Sequence, residues 1–221
     1  MKKQEPLRKK ILKHTEDFIL EHGRSPVSVA VLCKEMKIKE AAFFSVFPSI
    51  EAVEKAIWKE WIDQVIDAVS SGAEWHGFSA RERYLAFLFS WTQAALPKRS
   101  LLLVSFARTC QHDNPSRLEG LRSSFREFAA AIIERGRETR EIAERGPLVS
   151  LYPEVLYLHW RWVLDFYLKD ESEGFERTDA FIEKTVGFAF DLLRSQAIDS
   201  AADLARFLLP KMPWFQGFGG R

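Results

Sequence analysis

Cysteine is nearly missing from this chain: Cys33 and Cys110 are the whole complement in 221 residues. Neither has metal-ligand spacing, so the count excludes a disulfide framework and a thiolate zinc site. It fits buried free thiols in a reducing cytoplasm. Long apolar runs are missing too. A membrane span needs roughly 18 apolar residues in a row, and the densest stretch, 155–168, is broken by His159, Arg161 and Asp165. The basic start Met1–Lys2–Lys3 is followed by no apolar core, so no leader is expected. Catalytic signatures are also lacking. His14, His22, His76, His112 and His159 show no His-x-x-x-His or Cys-His pairing. Gly217–Gly220 is a terminal tail rather than a strand-to-helix phosphate loop, and Ser105 and Cys110 have no nucleophile-elbow context. No enzyme, no metal site and no cofactor is expected.

What is there is helix. No stretch alternates with period two, so the expected fold class is all-α. Leu7, Ile11, Leu12, Phe18 and Ile19 share a face and predict a helix over 6–22, stopped by Gly23. Ser28 can cap a second helix carrying Val31, Leu32 and Met36. A tight turn at Lys37–Ile38 leads into a third over 39–46, and Ser49 caps a fourth over 50–70. Further helices are expected over 80–95, 99–111, 115–143, 153–169, 179–195 and 200–209, with Pro97, Pro115, Pro147 and Pro153 at the breaks. The division expected is 1–49 as a helix-turn-helix head, 50–70 as a connecting helix, and 71–221 as a helical body.

Charge is small overall, +1, but uneven. Residues 1–49 hold ten Lys/Arg against six acids, a surplus of +4, which leaves −3 for the remainder. Such a head suits phosphate binding, or it is a solvated basic surface. Residues 28–47 fit a helix-turn-helix whose second helix lies in a major groove. Leu32, Ile38, Phe43 and Phe47 would form its core, leaving Lys39, Glu40, Ala42, Phe44 and Ser45 to face DNA. Lys37 in the turn, Ser28, and Lys9 and Lys10 on the first helix can add phosphate contacts.

Ile11–Leu12, Phe18, His22–Gly23, Ser28, Leu32–Cys33, Ile38, Phe44, Phe47, Ser49, Glu51 and Val53 fall at characteristic spacings, and over about residues 7–60 the chain resembles the TetR family of bacterial transcriptional regulators. Trp160–Leu208 is similar to one subgroup of the family's carboxy-terminal domains. The resemblance implies a homodimer that reads palindromic double-stranded DNA, acts as a repressor, and is released by a small effector held in the body. This sequence departs from the family pattern at named places: Lys37 stands for a turn Gly, Ala42 for Thr, Phe44 for a phosphate-binding Tyr, Ser45 for His, and Ile50 for Lys. Glu40 adds a negative charge. These changes remove phosphate hydrogen bonds and keep the apolar core.

In the body, helix 153–169 is apolar nearly all round, with one polar stripe through Glu154, Arg161 and Asp165. Helix 179–195 has two apolar faces. Surplus apolar surface on neighbouring helices predicts a second copy across a two-fold axis, through Leu158, Trp162, Phe166, Phe181, Phe188 and Leu192; the alternative is that both helices are core in a monomer. Phe87, Trp91, Phe106, Phe125, Phe128, Tyr157 and Trp160 could line a cavity for a small apolar effector or simply pack as core. A rival reading is a lipid- or small-molecule-binding protein of this fold that has lost DNA binding.

Overall fold

The computed structural model of the chain describes residues 5–109, 119–144 and 146–194. Cys110, the expected helix over 200–209 and the aromatic tail lie outside the described residues. Nine α-helices occur within them and no strand: α1 Glu5–His22, α2 Val29–Met36, α3 Glu40–Phe44, α4 Ile50–Ser70, α5 Ala80–Ala95, α6 Arg99–Thr109, α7 Glu119–Glu138, α8 Tyr152–Lys169 and α9 Glu176–Arg194. No helix among the described residues is long and apolar enough to cross a membrane.

Local chemistry sets the boundaries. The Ser28 hydroxyl accepts from the Val31 amide at 3.3 Å to start α2, and the Ser49 hydroxyl accepts from the Ala52 amide at 3.1 Å to start α4. Ser79 and Glu82 form a reciprocal capping box at the start of α5. The third helix is shorter than its pattern predicts. Pro48 disfavours helical geometry at Phe47 and has no amide hydrogen, so the chain leaves α3 through turn bonds from Val46 and Phe47 to the Phe43 carbonyl, both 2.9 Å. The seventh helix also ends before its pattern does. Ile142 folds back over Gly136, its amide bonded to the Gly136 carbonyl at 2.9 Å, and a Cβ on Gly136 would lie 2.6 Å from the Ile142 side chain.

Two apolar clusters result. Ile11 and Leu12 of α1, Leu32 and Met36 of α2, Phe43 of α3, and Val53 and Ile57 of α4 form the smaller one. The larger takes Ile19 from α1 and Trp58, Trp61, Ile62 and Val65 from α4, then packs α5 to α9 around them. The first and fourth helices therefore belong to both cores. Burial at about 25 cal/mol per Å² makes each buried aromatic worth several kcal/mol before entropy is counted. The seventh helix approaches α4 closely: a Cβ on Gly120 would lie 2.8 Å from the Lys55 carbonyl, and the Lys59 ammonium donates to Ser124 Oγ at 3.0 Å.

The join between α8 and α9 is organised by Asp170, which is 5% exposed. Burial by itself raises its pKa. Hydrogen bonds from the Thr178 hydroxyl (2.6 Å), the Ser172 hydroxyl (2.7 Å) and both their amides outweigh that and hold the carboxyl at about 2. The Arg99 guanidinium caps the end of α8, donating to the carbonyls of Tyr167, Leu168 and Asp170 at 2.7, 3.3 and 3.1 Å.

Candidate nucleic-acid interface, apolar face and cleft

The turn between α2 and α3 is built on an unusual residue. Lys37 has φ +54°, and its amide and that of Ile38 close the end of α2 onto the carbonyls of Lys34 and Cys33 at 3.3 and 3.0 Å. This left-handed turn is the geometry that favours glycine. It directs the chain so that Phe43 and Phe47 enter the head core, while Lys39, Glu40, Ala41, Phe44 and Ser45 stay exposed. Phe44 is 53% exposed and edges onto Phe43. Lys37 and Lys39 are exposed, and no carboxylate among the described residues pairs with either.

The sequence-predicted reading residues divide as follows. Lys37, Lys39, Glu40, Phe44 and Ser45 lie together on the exposed side of the turn and α3. Ala42 does not join them: it is half-buried, on the flank shared with Val46, which packs against the head core. Ala41 takes the outward place that the sequence reading gave to Ala42. The Ser45 hydroxyl donates to the Ala42 carbonyl at 2.7 Å, and Ser28 is engaged as a cap. Lys9 and Lys10 are exposed on α1, with Lys9 held 3.6 Å from Glu5. Two side chains brace the head. Arg8 pairs with Glu60 and lies over the Phe47 ring at 5.2 Å, and the His14 ring sits 3.5 Å from Glu35. Burial raises the Cys33 thiol pKa, and the charge of Glu40 adds to the rise.

In the body, α8 and α9 present an apolar face. Leu158 is 60% exposed, Trp162 58% and Phe188 70%, with Val155 and Leu192 also exposed. Phe166 and Phe181 are half-buried and stacked 4.3 Å apart, and Trp162 edges onto Phe181 at 5.1 Å. All six residues expected at a dimer interface fall on or beside this face. Val155 continues the same stripe, one turn before Leu158.

The aromatic residues expected around a cavity sit differently. Phe87, Trp91, Phe125, Phe128, Tyr157 and Trp160 are buried against one another: Phe125 stacks on Trp160 at 4.8 Å, Phe87 meets Phe128 at 5.0 Å, and Trp91 meets Trp160 at 5.9 Å. These rings come from α5, α7 and α8, and their stacked and edge-on contacts turn them toward one another. Phe106 alone of the seven borders a cleft of about 260 Å³ between α6 and α8. Leu103, Leu164 and Leu168 supply its other apolar walls, with Arg161, Asp165 and Lys169 as its charged groups. The sequence reading missed it, although the polar stripe on α8 marked its position.

A polar chain crosses the body core. The Tyr84 hydroxyl donates to the Leu156 carbonyl at 3.0 Å and lies 2.8 Å from His159 Nδ1, whose Nε2 lies 2.9 Å from Thr185 Oγ1. Burial pushes the Tyr84 pKa well up and His159 down to about 4. Among the described residues no group of three His, Cys, Asp or Glu side chains could hold a metal ion.

A family model described as "Tetracyclin repressor-like, C-terminal domain" matches residues 83–208. No curated protein matches the chain. Solved structures share its fold. A chain from Syntrophomonas wolfei str. Goettingen, proposed as a TetR-family transcriptional regulator, superposes with a TM-score of 0.66 at 16% identity, over 85% of this chain and 95% of that one. The fatty acid degradation regulator FadR from Bacillus halodurans gives 0.60 at 15% identity, over 86% and 97%. A bacterial regulatory protein in the TetR family from Rhodococcus RHA1 gives 0.54 at 13% identity, over 84% and 96%. The helix-turn-helix geometry at the front and the matched body lead to one conclusion: this chain belongs to the TetR family of transcriptional regulators.

Proposed function

We propose that this protein is a homodimeric repressor that binds a palindromic operator in double-stranded DNA and is released by a small apolar effector. Residues 1–49 are the reading head, 50–70 the connector, and 71–221 the dimerisation and effector part. One observation carries the reading: Lys37 and Lys39 stand exposed, with no acidic partner among the described residues, beside an exposed Phe44 on the outward side of the turn and α3. Lysines there neutralise phosphates, and an exposed Phe offers apolar contact to a thymine methyl group.

The apolar face of α8 and α9 supplies the second half of the mechanism. Burying Leu158, Trp162 and Phe188 against a second copy removes large apolar side chains from water and presents two heads related by a two-fold axis. An effector that prefers one head spacing over another lowers operator affinity by its differential affinity for the two states. The cleft beside Phe106 is the place for such a molecule.

Selection of bound duplexes from a random pool tests this reading. The expected result is an inverted repeat with half-sites spaced for two successive major grooves. Recovery of unrelated sequences would reject it. A second reading, a ligand-binding protein of this fold without DNA binding, draws support from Glu40 at the start of α3 and from Phe44, which has no phenolic hydroxyl to give a phosphate. It requires that random duplex is not bound even at low salt.

A further inference from the structure

The cleft between α6 and α8 has a chemistry more specific than apolar. Its walls are Leu103, Phe106, Leu164 and Leu168, and a guanidinium stands among them. Arg161 lies over the Phe106 ring at 5.5 Å, and its Nε is buried without a hydrogen-bond partner. The other two charged groups of the cleft satisfy each other, Lys169 Nζ to Asp165 Oδ2 at 2.7 Å. The cleft therefore carries one positive charge with no counter-ion among the described residues. The Arg161 Nε has no acceptor among the described residues, and a bound anion would supply one.

We infer that the cleft binds a small amphipathic monocarboxylate, its carboxylate on the Arg161 guanidinium and its alkyl chain along Leu103, Phe106, Leu164 and Leu168. This rests on reading the chain as a ligand-responsive regulator, and it names the effector's chemical class. The fork of a guanidinium matches a planar carboxylate and is less heavily hydrated than an ammonium, so it gives up water for an ion pair readily. Asp165 selects for single charge, because a dianion would place its second charge close to that carboxylate in an apolar setting. Size follows from volume. A cleft of about 260 Å³ accommodates on the order of nine water-sized groups at roughly 30 Å³ each. That fits a carboxylate with an alkyl chain of medium length and excludes a steroid-sized molecule wholly inside.

Octanoate and 1-octanol are the probes, since they share a chain and differ in the head. Titration calorimetry on the full chain without DNA is expected to show octanoate binding at least about tenfold more tightly than octanol, the minimum for a charge-assisted hydrogen bond. Arg161→Gln is expected to erase that preference and Arg161→Lys to keep part of it. Leu103→Trp fills the cleft and is expected to abolish binding of both probes while circular dichroism stays unchanged. Equal affinity for the two probes, an undiminished preference in Arg161→Gln, or no binding of either by the parent protein would overturn the inference. Operator binding measured without any probe separates the two readings. Failure in calorimetry with operator binding intact removes the cleft ligand alone, whereas octanoate binding without operator binding removes the repressor and leaves the cleft.

Discussion

The Lys98 ammonium, just before α6, lies 2.9 and 3.0 Å from the two carboxylate oxygens of Glu16 on α1. The pair joins the body to α1, the helix whose Ile11 and Leu12 enter the smaller core. Both side chains are about a quarter exposed, at 28% and 25%, so the bridge contributes under about 1 kcal/mol to stability. Its use is positional. On the proposed function, a ligand that moved α6 against α8 would displace Lys98, and Glu16 would carry the movement to α1. Glu16→Gln is expected to leave the Tm within about 4 °C of the parent and to shrink the fall in operator affinity caused by octanoate. A gel-shift series with and without octanoate checks this, and an unchanged ligand response would remove the bridge from the coupling.

Lys37 serves two opposing demands. Its left-handed backbone costs about 1 kcal/mol that a glycine would not incur. On the proposed function its exposed ammonium faces phosphates. Lys37→Gly is therefore expected to raise the Tm by about 2–4 °C and at the same time weaken duplex binding. Thermal denaturation and binding must move in opposite senses; a variant that is more stable and binds equally well would confine Lys37 to a structural turn.

Phe188 is 70% exposed on α9, so replacing it should not disturb the protomer's own core. Phe188→Asp is expected to convert the dimer to a folded monomer, since a carboxylate would be buried without a partner against the second copy. Trp162→Asp should behave alike. Sedimentation velocity with circular dichroism checks both, and a dimer that persists through both substitutions would place the interface elsewhere.

His159 gives stability a defined pH window. Burial lowers its pKa from 6.5 to about 4 in the folded chain. Between those values the unfolded chain binds a proton that the folded chain refuses. Stability is therefore full above about 6.5 and falls as the pH drops toward about 4, by on the order of 3 kcal/mol, with no further change from this group below that. His159→Gln can still bridge Tyr84 and Thr185 and does not titrate. Denaturant midpoints from pH 7 to 4 are expected to slope less in the variant, and equal slopes would assign the acid sensitivity to other groups.

Much of the fold was legible because its punctuation is chemical. Ser28 and Ser49 announce helix starts, and Pro97 and Pro153 fall at or beside breaks whatever surrounds them. The outward placement of Lys37, Lys39 and Phe44 followed from the burial of Phe43 and Phe47, a matter of helical spacing. Ala42 escaped this reasoning because a five-residue helix turns one flank inward at each residue, and a one-position error exchanges Ala41 for Ala42. Long-range approach was not legible. Nothing local says that Gly120 meets the Lys55 carbonyl, or that Ile142 returns over Gly136. The ring cluster shows the same limit. Seven aromatic residues have one composition whether they enclose a space or fill it, and the position of α6 against α8 decides where space remains. That position set the cleft at Arg161, which the sequence displayed only as a polar stripe on an apolar helix.

The salt dependence of duplex binding by the parent chain and by Lys39→Ala tests the central claim most directly. The account expects the parent to bind random duplex at low salt with a steep log–log slope. It expects Lys39→Ala to fold normally with a slope shallower by roughly 0.9 for each of its two copies in the dimer. A parent protein that fails to bind duplex at low salt, or a Lys39→Ala slope that matches the parent's, would contradict it.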